Sequence, residues 1–252
     1  MKLRMTSVYD EGAIENTSLI GAKGFAVMIE VDEQRILFDT GRRGRYLMHN
    51  FMFLDIKADD IDKVVISHGD ADHTGGVEDL LRSRENSIEI YAPSSAMGSK
   101  RLIGSSGLYV PDDLKDKAEI KTIDDWIELS EHAFISRPMD IGNGREEVFM
   151  VITTSNGPAV VTACSHCGVD VVMEAVKERF GRYPRTYVGG VHIGKKEKQK
   201  AEAIATLFAD RNCLDLHLNH CTGVNGIMYL RTVLGLKGVD DFYVGEIIEY
   251  DL

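Results

Sequence analysis

Cysteine is scarce in this chain: four residues in 252, at positions 164, 167, 213 and 221. That is too few to staple a protein of this length, so reduced thiols are expected. Cys164 and Cys167 form one C-x-x-C, but a zinc ribbon needs a second such pair and none exists; a redox pair stays open. Positive charge is in deficit, with 29 Lys and Arg against 40 Asp and Glu and a formal charge of −11. This argues against a protein that binds nucleic acid by neutralising phosphates. No run approaches the roughly 20 apolar residues of a membrane span, and the N-terminal "MKLRMTSVYDEGAIE" has no apolar signal-peptide core. The expectation is a soluble, cytoplasmic protein whose partner is a small molecule, neither nucleic acid nor membrane. Linkers are missing as well: no Pro- or Ser-rich tract, repeat or low-complexity segment divides the sequence. One domain over residues 1–252 follows, an ordinary size for a single α/β unit.

What recurs is an apolar strand ending in a polar cluster. "FAVMIEV" and "RILFDTG" read as a hairpin around Asp32, Glu33 and Gln34, and "KVVISHGD" as a β-branched strand that stops at His68. "SIEIYAP", "EVFMVITT" and "AVVTACSH" are further strands, as are "RTYVGGVHIG" and "CLDLHLNHCTG". Helical spacing appears in "GGVEDLLRSR", in "KEKQKAEAIATLFADR", and in "GVDVVMEAVKERF", which puts Val169, Val172, Met173, Val176 and Phe180 on one face. Strand and helix in alternation predict a layered α/β protein with sheet at its centre. Residues 94–141 fit this rhythm least and read as a lid or substrate wall, or else as a surface excursion.

The polar strand ends carry the chemistry. In order they are Asp39, then His68, Asp70, Asp72 and His73, then His166, His192 and His220. Five of the eight histidines in the chain sit at such ends. One histidine there is ordinarily hydrogen-bonded structure, but five at one edge of a sheet form a candidate metal site. Loops beyond the carboxyl ends of strands converge in space however far apart in sequence. Imidazole and carboxylate are donors shared by zinc, iron and manganese.

"LFDTG", "SHGDADHTGG", "ACSHCG", "GGVHIG" and "NHCTG" occur in that order, and together they resemble the five motifs of the metallo-β-lactamase superfamily over nearly the whole chain. The wording is most similar to a branch that includes an archaeal dihydropterin–ribofuranosylaminobenzene phosphate synthase. The resemblance implies an αββα sandwich with two divalent metals at one edge. His68, Asp70 and His166 would hold one metal, and Asp72, His73 and His220 the other. Two departures from the superfamily pattern stand out. Asp70 occupies a position expected to be histidine, and His192 one expected to be the bridging aspartate, so carboxylate and imidazole have changed places. Zinc is the expected metal, and the oxygen donor at Asp70 opens iron or manganese.

The implied activity is hydrolysis of an ester, phosphoester or pyrophosphate-type bond, with Asp72 and His192 as catalytic candidates and His192 as proton donor or leaving-group contact. A synthase-like transferase, a diiron redox protein and a non-catalytic metal-binding or sensing module remain alternatives. Asp39 would orient a ligand imidazole from behind. Thr74, Gly75 and Gly76 would open the next helix, the glycines letting backbone approach the metals. Arg42 and Arg43, in the most basic patch of an acidic chain, suit an anionic or phosphorylated substrate or else a solvated turn. Cys167 and Cys221 follow two ligand histidines and are read as packing residues, with thiol ligation the alternative.

Overall fold

The computed structural model describes residues 2–100 and 105–252. In chain order its main strands are β1 (Lys2–Tyr9), β2 (Ala26–Val31), β3 (Gln34–Phe38), β4 (Lys63–Val65), β5 (Ile88–Pro93), β6 (Ala118–Ile123), β7 (Ile127–Glu128), β8 (Ala133–Ile135), β9 (Met150–Thr154), β10 (Gly157–Thr162), β11 (Thr186–Gly189), β12 (Asp215–Leu218) and β13 (Ile247–Asp251). The helices are α1 (Gly44–Phe53), α2 (Ala71–Thr74), α3 (Val77–Arg82), α4 (Val169–Phe180), α5 (Lys198–Asp210) and α6 (Gly223–Leu234). One sheet runs β13-β1-β2-β3-β4-β5-β6 and the other β12-β11-β10-β9-β8-β7.

Each sheet is covered on both faces at its centre, which is why the central strands are apolar throughout rather than alternating with polar residues. Val27, Ile29, Ile36 and Phe38 meet Met150, Ile152, Ala159 and Val161 between the sheets. Their neighbours Met28, Leu37 and Val64 turn the other way onto Leu47, Phe51 and Leu80 of α1 and α3. On the far side, Val151, Val160 and Tyr187 pack against Val172, Met173, Ala205, Phe208 and Ile227 of α4, α5 and α6. Helices, two sheets and helices again make the expected αββα sandwich.

The β2–β3 hairpin turns on two residues, Asp32 and Glu33, with φ of 49° and 64°, the left-handed pair that a tight primed turn requires. Gln34 belongs to β3, opposite Val31. The predicted face of α4 is buried at Val169, Val172, Met173 and Val176, with Phe180 partly buried against the same cluster.

The stretch 94–141 divides in two, which corrects its reading as one excursion. Its second half supplies β6 and β7 to the outer edges of the two sheets and β8 next to β7; strands this short or this polar escape a search for long apolar runs. Residues 101–104 lie outside the described residues. Among the described residues no helix is long and apolar enough to cross a membrane.

Candidate metal centre

In the first sheet β3, β4 and β5 are parallel, and in the second β10, β11 and β12 are. Their carboxyl ends lie at one edge, where Asp39, His68, His166, His192 and His220 follow β3, β4, β10, β11 and β12. Left-handed backbone marks four residues of these loops: Asp39, Ser165, His192 and His220 have φ of 59°, 55°, 47° and 52°. Non-glycine residues adopt that region at a cost, and such strain collects at functional sites.

Four imidazoles converge. Ring centroids lie 4.2 Å apart for His68 and His73, 4.8 Å for His68 and His166, and 5.0 Å for His73 and His220. His68, His73 and His220 are buried, and His166 is half-buried. Cys164 joins them: its sulfur groups with the ring nitrogens of His68 and His166, and separately with those of His73 and His220, every ligand atom in a group within 4.8 Å of the others.

Behind the rings stand groups that fix their orientation. Asp39, fully buried, takes the Ser67 backbone N–H at 2.8 Å on Oδ1 and the Ser67 hydroxyl at 2.7 Å on Oδ2. The same Oδ2 lies 2.7 Å from His73 Nδ1, and the Ser67 hydroxyl lies 2.8 Å from His68 Nδ1. Glu11 is 3.1 Å from His220 Nδ1, while Asp10 accepts the His220 backbone N–H at 3.0 Å. Glu147 accepts the backbone N–H groups of Cys164, Ser165 and His166 at 3.0, 3.0 and 2.6 Å. Occupying Nδ1 leaves Nε2 to face inward, the arrangement common to metal-binding histidines. His68 Nε2 is buried without a hydrogen-bond partner; Asp70 Oδ2 lies 3.4 Å away, close enough for attraction but not in hydrogen-bond geometry.

Local backbone contacts set this up. Thr40 donates its N–H and its hydroxyl to the His73 carbonyl, both at 2.8 Å, so the Asp39 loop and the His73 turn are clamped together. A Cβ on Gly76 would come within 2.2 Å of the Thr40 carbonyl oxygen, and one on Gly75 within 2.2 Å of that of Arg42. Those glycines therefore let the Asp39 loop and the His73 turn pack in direct contact.

The remaining sequence candidates stand around this cluster. Asp70 is half-buried, bridging His68 and Arg145, whose Nη1 is 3.1 Å from Oδ1. Its carboxyl is held well below the usual range by the His68 ring first, then by the charges of His68, Arg145 and His166, with burial opposing. Asp72 pairs with Lys23 at 3.2 Å and belongs to none of the converging groups. His192 is exposed, its ring 4.6 Å from that of His166. Arg42 and Arg43 are exposed beside the start of α1.

Sequence reasoning missed Asp10, Glu11, Cys164, Arg145 and Glu147. A charged residue at the head of the apolar run "EVFMVITT" was the available signal for Glu147.

Charge in the cluster is arranged in opposition. Burial, with the charges of His68 and His220, holds His73 well below its ordinary value, in the neutral form that ligates. Burial works against charge on His220 too, but Glu11, then Cys221 and Asp10, lift it to about 9. Burial would raise Glu147, yet His166, His68 and the Cys164 N–H bring it down to about 2.

Glu147→Gln is expected to destabilise the fold by about 3 kcal/mol at neutral pH, since an amide puts a donor where backbone N–H groups already point. The wild-type carboxylate's contribution is present above its ordinary 4.5 and lost as pH falls toward about 2. Urea unfolding should therefore show the gap between the two proteins narrowing across that window. A gap independent of pH would refute the role given to this carboxylate.

A model of the metallo-beta-lactamase superfamily matches residues 20–173, more than half of the chain, and the chain belongs to that superfamily. It is similar to the 7,8-dihydropterin-6-methyl-4-(beta-D-ribofuranosyl)-aminobenzene-5'-phosphate synthase of Methanocaldococcus jannaschii, 24% identical with 88% of each chain covered. The crystal structure of a metal-dependent hydrolase of the beta-lactamase superfamily overlays with a TM-score of 0.80 at 23% identity, covering 99% of this chain and all of that one. A diphosphatase from the PhnP family gives a TM-score of 0.64 at 15% identity, over 99% of this chain and 98% of its own. At these identities the structural likeness defines the fold.

Proposed function

We propose that the protein is a metal-dependent hydrolase acting on a small anionic substrate with an ester, phosphoester or pyrophosphate-type bond. The observation that carries this is the convergence of four imidazoles at one sheet edge, three of them with Nδ1 occupied from behind. The donors fit a divalent metal: His68 Nε2 is a buried nitrogen without a partner, and such an orphan is costly unless something ligates it. His68, Asp70 and His166 would hold one ion, and His73 and His220 another, with Asp72 joining once it releases Lys23. Zinc suits the imidazoles and the nearby Cys164 thiol, whereas Asp70 brings iron and manganese within range. When bound, such ions supply Lewis acidity and a hydroxide available at neutral pH.

The chain's own residues contribute position and charge. Arg145 holds Asp70 and lines, with His68, Gly69, Ser95 and Met97, a cavity of about 270 Å³, where its guanidinium can meet an anionic oxygen. A second, largely apolar cavity of about 360 Å³ opens beside His166 and His192 and is lined by Val169, Val191, Ile204 and Leu207, with Lys200 at its wall. That shape suits a substrate with an apolar or aromatic portion and a charged end. His192 stands exposed between the cluster and this cavity. Its pKa is raised, first by Cys221, so a ring nitrogen can hold a proton near neutral pH and deliver it to a leaving group.

A second reading, transfer rather than hydrolysis, is favoured by the match to the archaeal synthase along 88% of each chain. One experiment separates the two and tests both. Protein purified anaerobically without added metal is assayed for metal per chain, then for turnover of phosphodiesters, diphosphate esters and lactones with and without an aminobenzene ribofuranosyl 5'-phosphate acceptor. Two or more metal equivalents with turnover in water alone supports the hydrolase. Turnover that depends on the acceptor supports transfer. Metal without turnover on any substrate would leave a binding module and overturn the enzyme reading.

A further inference from the structure

One group of donors lies off the imidazole cluster. The sulfurs of Cys164 and Cys221 and a ring nitrogen of His192 all fall within 4.8 Å of one another. No two of these residues are neighbours in sequence, and they come from the ends of β10, β12 and β11 respectively. We propose that Cys164, Cys221 and His192 form a thiolate-rich site for a soft divalent metal, beside the imidazole centre and sharing Cys164 with it. The proposal rests on the metal-centre reading only through that shared sulfur.

Three observations support a built site. The space for the Cys221 sulfur is made by Gly190, where a Cβ would come within 2.4 Å both of that sulfur and of the Ala163 carbonyl oxygen. The loops that carry the three donors are tied together: the Gly190 N–H donates to the Ala163 carbonyl at 3.0 Å, the Ser165 hydroxyl to the Gly190 carbonyl at 2.7 Å, and the Val191 N–H to the Thr222 hydroxyl at 3.1 Å. Outside the trio neither sulfur has a strong partner. Cys221 sits 4.0 and 3.8 Å from the Ala163 and Cys164 carbonyls, and Cys164 is 3.6 Å from His73 Nε2.

Ligand chemistry follows from the donor set. Two sulfurs and one imidazole select zinc, cobalt or iron over magnesium or calcium, and three protein donors leave a fourth position open, on the exposed His192 side. Binding forms two sulfur–metal bonds and one nitrogen–metal bond; the Cys164 S–H proton and the one proton shared by the Cys221–His192 pair both leave to the buffer. Two thiolates then neutralise the divalent charge, which suits a site whose Cys164 edge is buried. The exchange of carboxylate for imidazole at position 192 acquires a reason here: an imidazole completes a soft site that an aspartate would harden.

Cobalt(II) loaded anaerobically into the metal-free protein tests this, because sulfur ligation adds near-ultraviolet charge-transfer absorbance to the visible ligand-field bands. The wild type is expected to show that absorbance, and Cys221→Ser to lose about half of it while keeping the visible bands. Cobalt should also protect Cys221 from alkylation in the unaltered protein, a readout that needs no variant. Visible bands without charge transfer, or charge transfer unchanged in Cys221→Ser with Cys221 still alkylated, would overturn this site and leave the imidazole centre standing. A protein that takes up no cobalt would overturn both.

Discussion

Replacing His68 with alanine is expected to lower turnover by about a thousandfold or more and to reduce bound metal by at least one equivalent. His68 is the ring at the centre of the cluster, next to both His73 and His166. Its Nδ1 is taken by Ser67, and its buried Nε2 has no other hydrogen-bond partner. A bound metal supplies several kcal/mol toward a transition state, and a loss of about 4 kcal/mol is close to a thousandfold in rate. The effect on stability is a near balance. Removing the ring relieves its repulsion of His73, but it also takes a positive neighbour from Asp70, Asp39 and Glu147 and opens a small cavity. Metal-free wild type and variant should therefore melt within a few degrees of each other. The wild type should gain more stability than the variant when zinc is added, as expected when one of the ions that bind the folded state alone has lost its site. Melting curves with and without zinc check this, and a variant that keeps its metal and its turnover would sink the assignment.

Much of this site was legible because its candidate residues end strands. An apolar run that stops at a histidine or aspartate announces both the sheet and the residue at its edge, which is how Asp39, His68, His166, His192 and His220 could be placed in one cluster. The residues that escaped lack such a signature. Glu147 meets the backbone N–H groups of residues 164–166 only because the loop before β9 crosses the end of β10. Glu11 reaches His220 across 209 positions of sequence, and Arg145 reaches Asp70 across 75. Pairings of that kind are decided by how the two sheets stack, and no local pattern encodes them. Asp72 shows the complementary limit. Its place in the motif implied a ligand, yet its carboxylate is turned to Lys23, a partner supplied by the loop before β2. The first and last strands of the first sheet, β1 and β13, also went unread. β13 alternates exposed and half-buried residues, so it lacks the apolar run that announces the central strands. The helices α1 and α6 escaped because Gly44 and Gly223 open them where glycine more often marks a loop.

Metal binding at pH 6 is expected to release about one proton more than binding at pH 8.5, and Asp39→Asn should abolish the difference while weakening metal affinity about 10- to 100-fold. Burial pushes the Asp39 carboxyl up to about 7, against the pull of His68 and the two Ser67 hydrogen bonds. Below that value the metal-free protein carries a proton on Asp39, which Oδ2, 2.7 Å away, can share with His73 Nδ1. A neutral His73 that accepts at Nδ1 has its remaining proton on Nε2, and that tautomer cannot ligate through the inward nitrogen. Ligation therefore requires Asp39 ionised and Nδ1 protonated, so one proton must leave. The same shift has a stability sign. Between its ordinary 3.8 and about 7, Asp39 binds more proton in the folded than in the unfolded chain, so metal-free stability falls as pH rises through that window, by on the order of 4 kcal/mol. Bound metal removes this penalty by giving the ionised carboxylate a cationic neighbour to serve. Calorimetric titration with zinc in buffers of different ionisation enthalpy counts the protons, and His220, raised to about 9, contributes at both pH values and so largely cancels from the difference. Equal proton release at pH 6 and pH 8.5 in the wild type would mean that Asp39 is ionised before metal arrives, and its role would then reduce to holding the His73 ring in place.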